Sequence, residues 1–559
     1  HDKPFGTIAS PAHRVLCARM RLLVLLLASG APHAVDLDYR TDVGYDLWWS
    51  SNATEFVQPW GLHVEGAVPP WLAGGQLLRT GPCLFEFGGS RMHHDFDGFA
   101  CVTKWRFDRG SVTLQRRMVA SELLNESRHT GRLAPHVTML SVTPRMPMAK
   151  RVEAIHGPTD NTNICVARTG EHVYLTNDQG VATNSIDPLT LNSLGHTAVQ
   201  DSGAGMFTGA HKQAQSTFGS ATFGWYGEIT FTMGMKISVY RDQPTGDRNS
   251  PLTRTVIGTV EIHKPSMIHS FALTERYVII VVGPVFVAPL KMVEYVANPE
   301  FTPLDMIEWD PTADTKFFIF DAASLTPVPP VAEMVSSAVF FNHHVNAYQG
   351  ADGILRIDLI AYRDASFLKD HHGFGNLDVM KNATERAALT SMAPTFRRYM
   401  VDVSAGSGAH VPYNDMHLVD ASGMVYSCEM PSVNPRRHGL PYCYGYFVGN
   451  QLGPGADPMR QGLVKVSLCA GGATNVIFWQ RDGHHPGEPI FVPRPGGTSE
   501  DDGVLLSPVL DGAAERSYLL VLDAQTMEQL AAVQMPLAMP SDVHGLFWMD
   551  DAHELLVHV

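Results

Sequence analysis

Charge is scarce in this chain: Lys, Arg, Asp and Glu make up 17% of its 559 residues, without a long basic run, and the formal net charge is −15. A nucleic-acid partner is not expected, because a phosphate backbone would be repelled. Cysteine is scarce too. Cys17, Cys83, Cys101, Cys165, Cys428, Cys443 and Cys469 are scattered, odd in number and never spaced as CxxC. They read as buried small apolar side chains rather than a zinc site or a disulfide framework, with one or two bridges left open if the protein is exported. The chain has no phosphate loop, no dinucleotide glycine fingerprint opening a helix, no HExxH and no GxSxG. Nucleotide-dependent, zincin and serine-hydrolase chemistries therefore have no signature here.

What the chain does have is apolar residues (45%), with 49 glycines and 37 prolines spread along its length. That composition can fill a large core, and the dispersed Gly and Pro suit short strands joined by tight turns. Residues 172–176, 228–233, 277–282, 316–320, 355–362 and 517–522 are β-branched or aromatic runs bounded by Gly, Pro, Asp or Asn, and predict strands. Few windows longer than ten residues show a helical period, and Asp378–Leu389 and Phe286–Val296 are the best candidates. A loose repeat recurs at Ile186–Leu191, Phe320–Leu325 and Leu522–Met527: a strand end, Asp, two small or turn residues, Ser or Thr, then an apolar residue. An Asp that caps its own turn explains it, fixing a hairpin between outer strands. Propeller blades repeat such hairpins, and a large sandwich would show them as well.

At the N-terminus, Arg19-Met20-Arg21 precedes the apolar run Leu22–Ala28 and then Ala31-Pro32-His33-Ala34. The run is too short to span a bilayer. Residues 1–34 read either as a secretory or plastid targeting segment cleaved after Ala34 or as an upstream extension. Without targeting, a cytoplasmic, peripheral-membrane protein is expected. Residues 35–559 are expected to form a single domain. Sequons at Asn52, Asn125 and Asn382 would fit export.

Histidine is plentiful, with 26 residues, and composition alone singles out none of them. Local sequence does. Asn342-His343-His344-Val345-Asn346-Ala347-Tyr348 carries an HxxNAY pattern, and other segments accompany it in order. These are GAVPPWLAGGQLLRTGP at 66–82, HDFDG at 94–98, TGAH at 208–211, MIHSF at 267–271, EPIFV at 488–492, EDDGV at 500–504 and HGLF at 544–547. Together they resemble the carotenoid oxygenase family, which includes carotenoid cleavage dioxygenases, stilbenoid-cleaving relatives and the retinoid isomerohydrolase of the visual cycle. The resemblance runs over residues 57–550. It implies an all-β, seven-bladed propeller whose short helices and loops cap a metal centre.

The resemblance further implies that His211, His269, His343 and His544 are catalytic ligands of one Fe(II). His344 competes with His343. Spacing to Asn346 favours His343, and neighbouring strand residues face opposite sides, so only one of the pair looks down the channel. Four neutral imidazoles suit iron and leave open positions for O₂, provided each second ring N–H finds an acceptor. The resemblance supplies acceptors at Glu429 and Glu488. A third acceptor is a glutamate in the family, whereas Thr176-Asn177-Asp178-Gln179-Gly180 has none. Asp178 and Gln179 both remain candidates for that place.

A polyene substrate is long, rigid and nearly insoluble, and is expected to enter from a membrane surface through an apolar tunnel. Phe286–Val293 reads as an entrance rim or as an ordinary core segment. The implied reaction is O₂-dependent cleavage of one conjugated double bond of a carotenoid or apocarotenoid to two carbonyl products, with no organic cofactor. The alternatives are a retinoid-type isomerohydrolase, a stilbenoid-cleaving oxygenase, and a non-enzymatic carotenoid- or retinoid-binding propeller.

Overall fold

The strand-and-turn pattern resolves into seven main sheets, each of four to six largely antiparallel strands. The computed structural model describes residues 42–550 except 179, 181, 201–204, 248–250, 370–372, 390–392, 453–459 and 470–474. The targeting-like segment 1–34, Cys17 and Gln179 lie outside the described residues.

Numbered along the chain, blade 1 is built on Gly75–Leu84 and Phe99–Asp108, blade 2 on Cys165–Thr169 and His172–Thr176, and blade 3 on Thr222–Ile229 and Met235–Pro244. Blade 4 holds Tyr277–Val282 and Thr315–Asp321, and blade 5 Phe340–Gln349 and Leu355–Tyr362. Blade 6 holds Glu429–Val433 and Tyr444–Leu452, and blade 7 Gly503–Asp511 and Arg516–Asp523. Two pairings close the ring. His544–Met549 adds to blade 1 beside Gly75–Leu84, and His63–Gly66 adds to blade 7 beside Gln529–Gln534. Closure of this kind joins the two ends of the ring and leaves only the short outer edges of the blades.

The core lies between the blades, which is why several strands read as unbroken apolar runs. In Tyr277–Val282 every residue is buried. Val278, Ile280 and Val282 pack with Trp225, Ile237 and Val239 of blade 3, while Tyr277, Ile279 and Val281 pack with Ile357, Leu359 and Tyr399 of blade 5. The period of two is intact, but both faces are covered. Burying one such Leu or Ile contributes roughly 1.5–3 kcal/mol.

The Asp turns take the expected form. Asp187 accepts from the Leu189 amide at 2.9 Å, Asp321 from the Ala323 amide at 2.9 Å, and Asp523 from the Gln525 and Thr526 amides at 2.9 Å.

Several sequence expectations need correction. Residues 228–233 are not one strand: the strand is Thr222–Ile229, and Thr230 then turns the chain, its hydroxyl accepting from the Gly234 amide at 3.0 Å. Asp378–Leu389 splits into Leu377–Lys381 and Ala383–Leu389 because Asn382 caps the second helix, accepting from the Thr384 amide at 3.0 Å. Phe286–Val296 divides into the end of strand Val285–Val287, a 3₁₀ turn Pro289–Lys291 and helix Met292–Ala297, with Pro289 ending the extended stretch. Four cysteines are bridged, Cys83–Cys101 and Cys443–Cys469, so the reading of all as plain apolar residues holds only for the buried Cys165 and Cys428. Each bridge joins strand ends that the ladder already holds together, which spacing in sequence does not reveal.

Candidate metal centre

Every blade, or the connection leaving it, contributes one residue to a single cluster near the axis. His544 begins the innermost strand of blade 1, and Asp178 follows the His172–Thr176 strand of blade 2. His211 interrupts the innermost strand of blade 3 between Phe207–Thr208 and Gln213–Ala214, and His269 precedes the innermost strand of blade 4, Ala272–Leu273. His343 lies at a register shift in the innermost strand of blade 5. Glu429 opens the innermost strand of blade 6, and Glu488 sits in the break between His484–Pro486 and Ile490–Pro493 of blade 7. Breaks and bulges free these residues from the ladder and re-aim their side chains.

Two glycines make the approach possible. A Cβ on Gly209 would come within 2.4 Å of Trp225 Nε1, and one on Gly545 within 2.7 Å of the Leu78 carbonyl. Gly545 thereby brings its N–H to Glu488 Oε2 at 3.1 Å.

The four imidazoles meet through their Nε2 atoms, at 3.1 Å for His211 and His269, 3.2 Å for His269 and His343, and 3.3 Å for His343 and His544. Metal–nitrogen bonds of about 2.1 Å place neighbouring ligands about 3.0 to 3.4 Å apart between right-angle and tetrahedral arrangements. The spacing therefore fits one ion.

On the outer side, His269 Nδ1 donates to Asp178 Oδ2 at 2.6 Å, His343 Nδ1 to Glu429 Oε2 at 2.6 Å and His544 Nδ1 to Glu488 Oε1 at 2.7 Å. A carboxylate on Nδ1 fixes the tautomer, leaving Nε2 with a lone pair that points inward. Lone pairs converging at these distances repel unless a cation lies between them. The cluster could hold a metal ion, and nitrogen donors backed by carboxylates suit a borderline ion such as iron.

Burial sets the electrostatics. It pushes His211 well below the usual histidine range, and the other three rings push it further down. Burial and the His343 and His269 rings keep His544 low against the pull of Glu488. His269 is raised, because the Asp178 carboxylate and the Glu429 charge outweigh its burial. Burial would lift Glu429, but His343, the Met430 amide and Tyr362 hold it below its ordinary value.

His344 takes no part. Its Nδ1 faces the Ser270 hydroxyl at 2.8 Å and its ring lies 5.1 Å from Phe341, edge on. Burial, then His343, drive it down to about 3, so it is a neutral core histidine. Asn346 serves the scaffold. Its amide donates to the Arg437 and Leu440 carbonyls at 3.0 and 3.2 Å, tying blade 5 to the loop that follows blade 6's innermost strand.

Sequence reading missed two supporting residues. Arg79 is fully buried and pairs with Glu488 Oε2 at 3.0 Å and Asp542 Oδ2 at 2.7 Å. An arginine inside the apolar strand LLRTGP was the available signal. Tyr362 donates to Glu429 Oε1 at 2.7 Å.

A cavity of about 280 Å³ reaches His269, His343 and His544, with Trp48, Trp49, Phe367, Phe374 and Met267 in its wall. Phe286–Val293 does not line it. Leu290 and Val293 of that segment are strongly exposed, and Lys291 pairs with Glu308 at 2.8 Å. Among the described residues no helix is long and apolar enough to cross a membrane.

Comparison with known proteins agrees with this geometry. The family model of RPE65, the retinal pigment epithelial membrane protein, matches residues 49–549. The chain is 28% identical to human β,β-carotene 15,15'-dioxygenase over 538 residues, covering 90% of this chain and 95% of that protein. It is also 28% identical to the carotenoid isomerooxygenase of Galleria mellonella, covering 90% and 96%. Among solved structures, cobalt-substituted apocarotenoid oxygenase from Synechocystis superposes with a TM-score of 0.73 at 24% identity, covering 90% of this chain and 98% of that one. With a family match over nearly the whole chain, a seven-bladed ring and four converging histidines, the chain belongs to the carotenoid oxygenase (RPE65) family.

Proposed function

We propose that this protein is a non-haem Fe(II)-dependent dioxygenase that cleaves one conjugated carbon–carbon double bond of a carotenoid or apocarotenoid to carbonyl products. The observation that carries the reading is the meeting of four Nε2 atoms at 3.1 to 3.3 Å, three of them backed by carboxylates, at an aromatic cavity. His211, His269, His343 and His544 would hold the iron, which when bound supplies the redox chemistry that lets ground-state O₂ react with a polyene.

The chain's own residues do the rest. Asp178, Glu429 and Glu488 keep three rings in the ligating tautomer and offset part of the metal charge. Arg79 and Tyr362 hold Glu488 and Glu429 in place, so the rings are preorganised before substrate arrives. The aromatic wall excludes water and aligns a flat, rigid polyene past the histidines. Both oxygen atoms end in product, so no external reductant is required. Exposed Leu290 and Val293 beside Lys291 support a shallow contact with a membrane surface, from which such a substrate would be drawn.

The test is incubation of the iron-loaded protein with a panel of carotenoids and apocarotenoids under ¹⁸O₂. Paired aldehydes or ketones carrying the label are expected. Ester cleavage without O₂ would point instead to isomerohydrolase chemistry. A protein that neither takes up iron on loading nor reacts with any polyene would be a binding propeller.

A further inference from the structure

The cavity wall carries seven Phe, Trp and Tyr side chains among aliphatic and polar ones, and it includes a buried guanidinium. Arg386, on the short helix Ala383–Leu389, is 4% exposed. Its Nη1 donates to the Met380 carbonyl at 2.6 Å, its Cζ stands 4.3 Å from the centroid of Tyr45, and its Nε has no hydrogen-bond partner among the described residues. Among the described residues no carboxylate forms an ion pair with it. Asp95, on the same wall and 3% exposed, has an Oδ1 without a partner among the described residues. The Asp42 and Asp46 carboxylates act on the Arg386 charge only through space, and native proteins seldom leave a buried donor without a hydrogen-bond partner.

These groups share one region of the cavity. Burial pushes the Tyr45 phenol up to about 12, with Arg386 drawing it down and Asp95 adding to the rise. Burial, with Asp97 next, lifts the Asp95 carboxyl well above its ordinary range, which favours its neutral form.

From the histidines to this region runs a continuous series of rings. Tyr362, bonded to Glu429, stands 4.7 Å from Phe367; Phe367 stacks on Phe374 at 4.8 Å; Phe374 meets Trp49 at 5.6 Å; and Trp49 meets Tyr45 at 6.2 Å. A hydrocarbon chain lying along that wall would bring its end to Arg386 while its middle passes the histidines.

Resting on the cleavage function proposed above, we infer that the substrate is a polyene with a hydrogen-bond-accepting, oxygen-bearing end group, and that Arg386 binds that group and so sets which double bond reaches the histidines. Hydroxyl, carbonyl and carboxylate ends share this chemistry. A charge-assisted hydrogen bond of this kind corresponds to about tenfold or more in affinity.

The experiment compares polyenes of equal conjugation ending in hydrocarbon, hydroxyl, aldehyde or carboxylate. Binding to the iron-loaded protein is followed without O₂ by quenching of tryptophan fluorescence, and products are identified after O₂ is admitted. The wild-type protein is expected to bind at least one oxygen-ended polyene about tenfold more tightly than the hydrocarbon and to cut it at one bond. R386L is expected to bring that ratio to within about threefold of unity and to yield mixed products, with iron content at the wild-type level. If R386L does not fold, R386K, which keeps the charge but lacks the Nε–H, is expected to narrow the ratio. Equal wild-type affinity for all ends, or a ratio unchanged in either variant, overturns the inference and leaves the cleavage function standing. Failure of every polyene to bind overturns both.

Discussion

Replacing Glu488 by glutamine probes the support of the metal centre at its most buried point. Glu488 is 2% exposed, and its carboxylate accepts from His544 Nδ1 at 2.7 Å on Oε1 and from Arg79 Nη1 at 3.0 Å and the Gly545 amide at 3.1 Å on Oε2. A carboxamide of the same shape has one acceptor oxygen and one donor group. If the oxygen faces His544, the amide NH₂ confronts the two other donors. If it faces Arg79, His544 must accept at Nδ1, and its Nε2 then carries a proton into the centre. Either choice has a cost. Orphaning a partner in a buried ion pair typically costs about 3–5 kcal/mol. Arg79 retains Asp542 at 2.7 Å, so about 2 kcal/mol of stability is the expected loss in this case. Disorienting His544 should weaken metal binding about 10–100-fold. Iron content after dialysis against graded chelator measures the second effect, and the urea midpoint of the metal-free protein measures the first. E429Q is the comparison: Glu429 supports His343 but among the described residues has no arginine partner, its other donors there being Tyr362 and the Met430 amide. It should lose metal to a similar degree with a smaller fall in stability. An E488Q protein with wild-type iron affinity and midpoint would refute the reasoning.

Three further outcomes follow from the geometry. His343→Ala should abolish stoichiometric iron while His344→Ala keeps it, since His344 bonds Ser270 and packs on Phe341; metal analysis of the two purified variants decides. Reducing the Cys83–Cys101 and Cys443–Cys469 bridges, which close segments of 18 and 26 residues, should cost about 3 kcal/mol each by loop entropy, read as a lower denaturation midpoint with reductant. Burial raises Asp97 to about 7 despite its bonds from the Met139 and Leu140 amides. Its unfolded value is about 3.9, so the native state holds the extra proton between about pH 4 and 7, and the stability linked to it is lost as pH rises through that window. Asp97→Asn should flatten that part of the stability–pH curve, measured by denaturant titration from pH 4.5 to 8; an unchanged slope would contradict the assignment.

Much of the ring was legible because its strands follow simple rules. Strands Tyr277–Val282 and Leu355–Tyr362 coincide with the apolar runs that predict them, since β-branched residues between turn formers leave few alternatives. The Asp turns were readable because the capping bond is local. Closure of the ring was not, because His63–Gly66 and His544–Met549 pair with strands hundreds of residues away. The four histidines were recoverable only through resemblance to a family, since residues this far apart share no spacing. The choice between Asp178 and Gln179 needed coordinates: Asp178 is fixed by the Ala210 amide at 2.7 Å on one oxygen and His269 on the other. Arg79 and Arg386 escaped notice for the same reason in opposite senses. Both are buried cations, one with two carboxylate partners from distant loops and one lining a cavity, and neither circumstance is written in the neighbouring residues.

X-ray absorption of the iron-loaded protein at the iron edge tests the central claim most directly. One iron per chain with an imidazole nitrogen shell, lost when any of His211, His269, His343 or His544 becomes alanine, is the predicted result. An oxygen- or sulfur-dominated shell, or iron that survives all four substitutions, would contradict it.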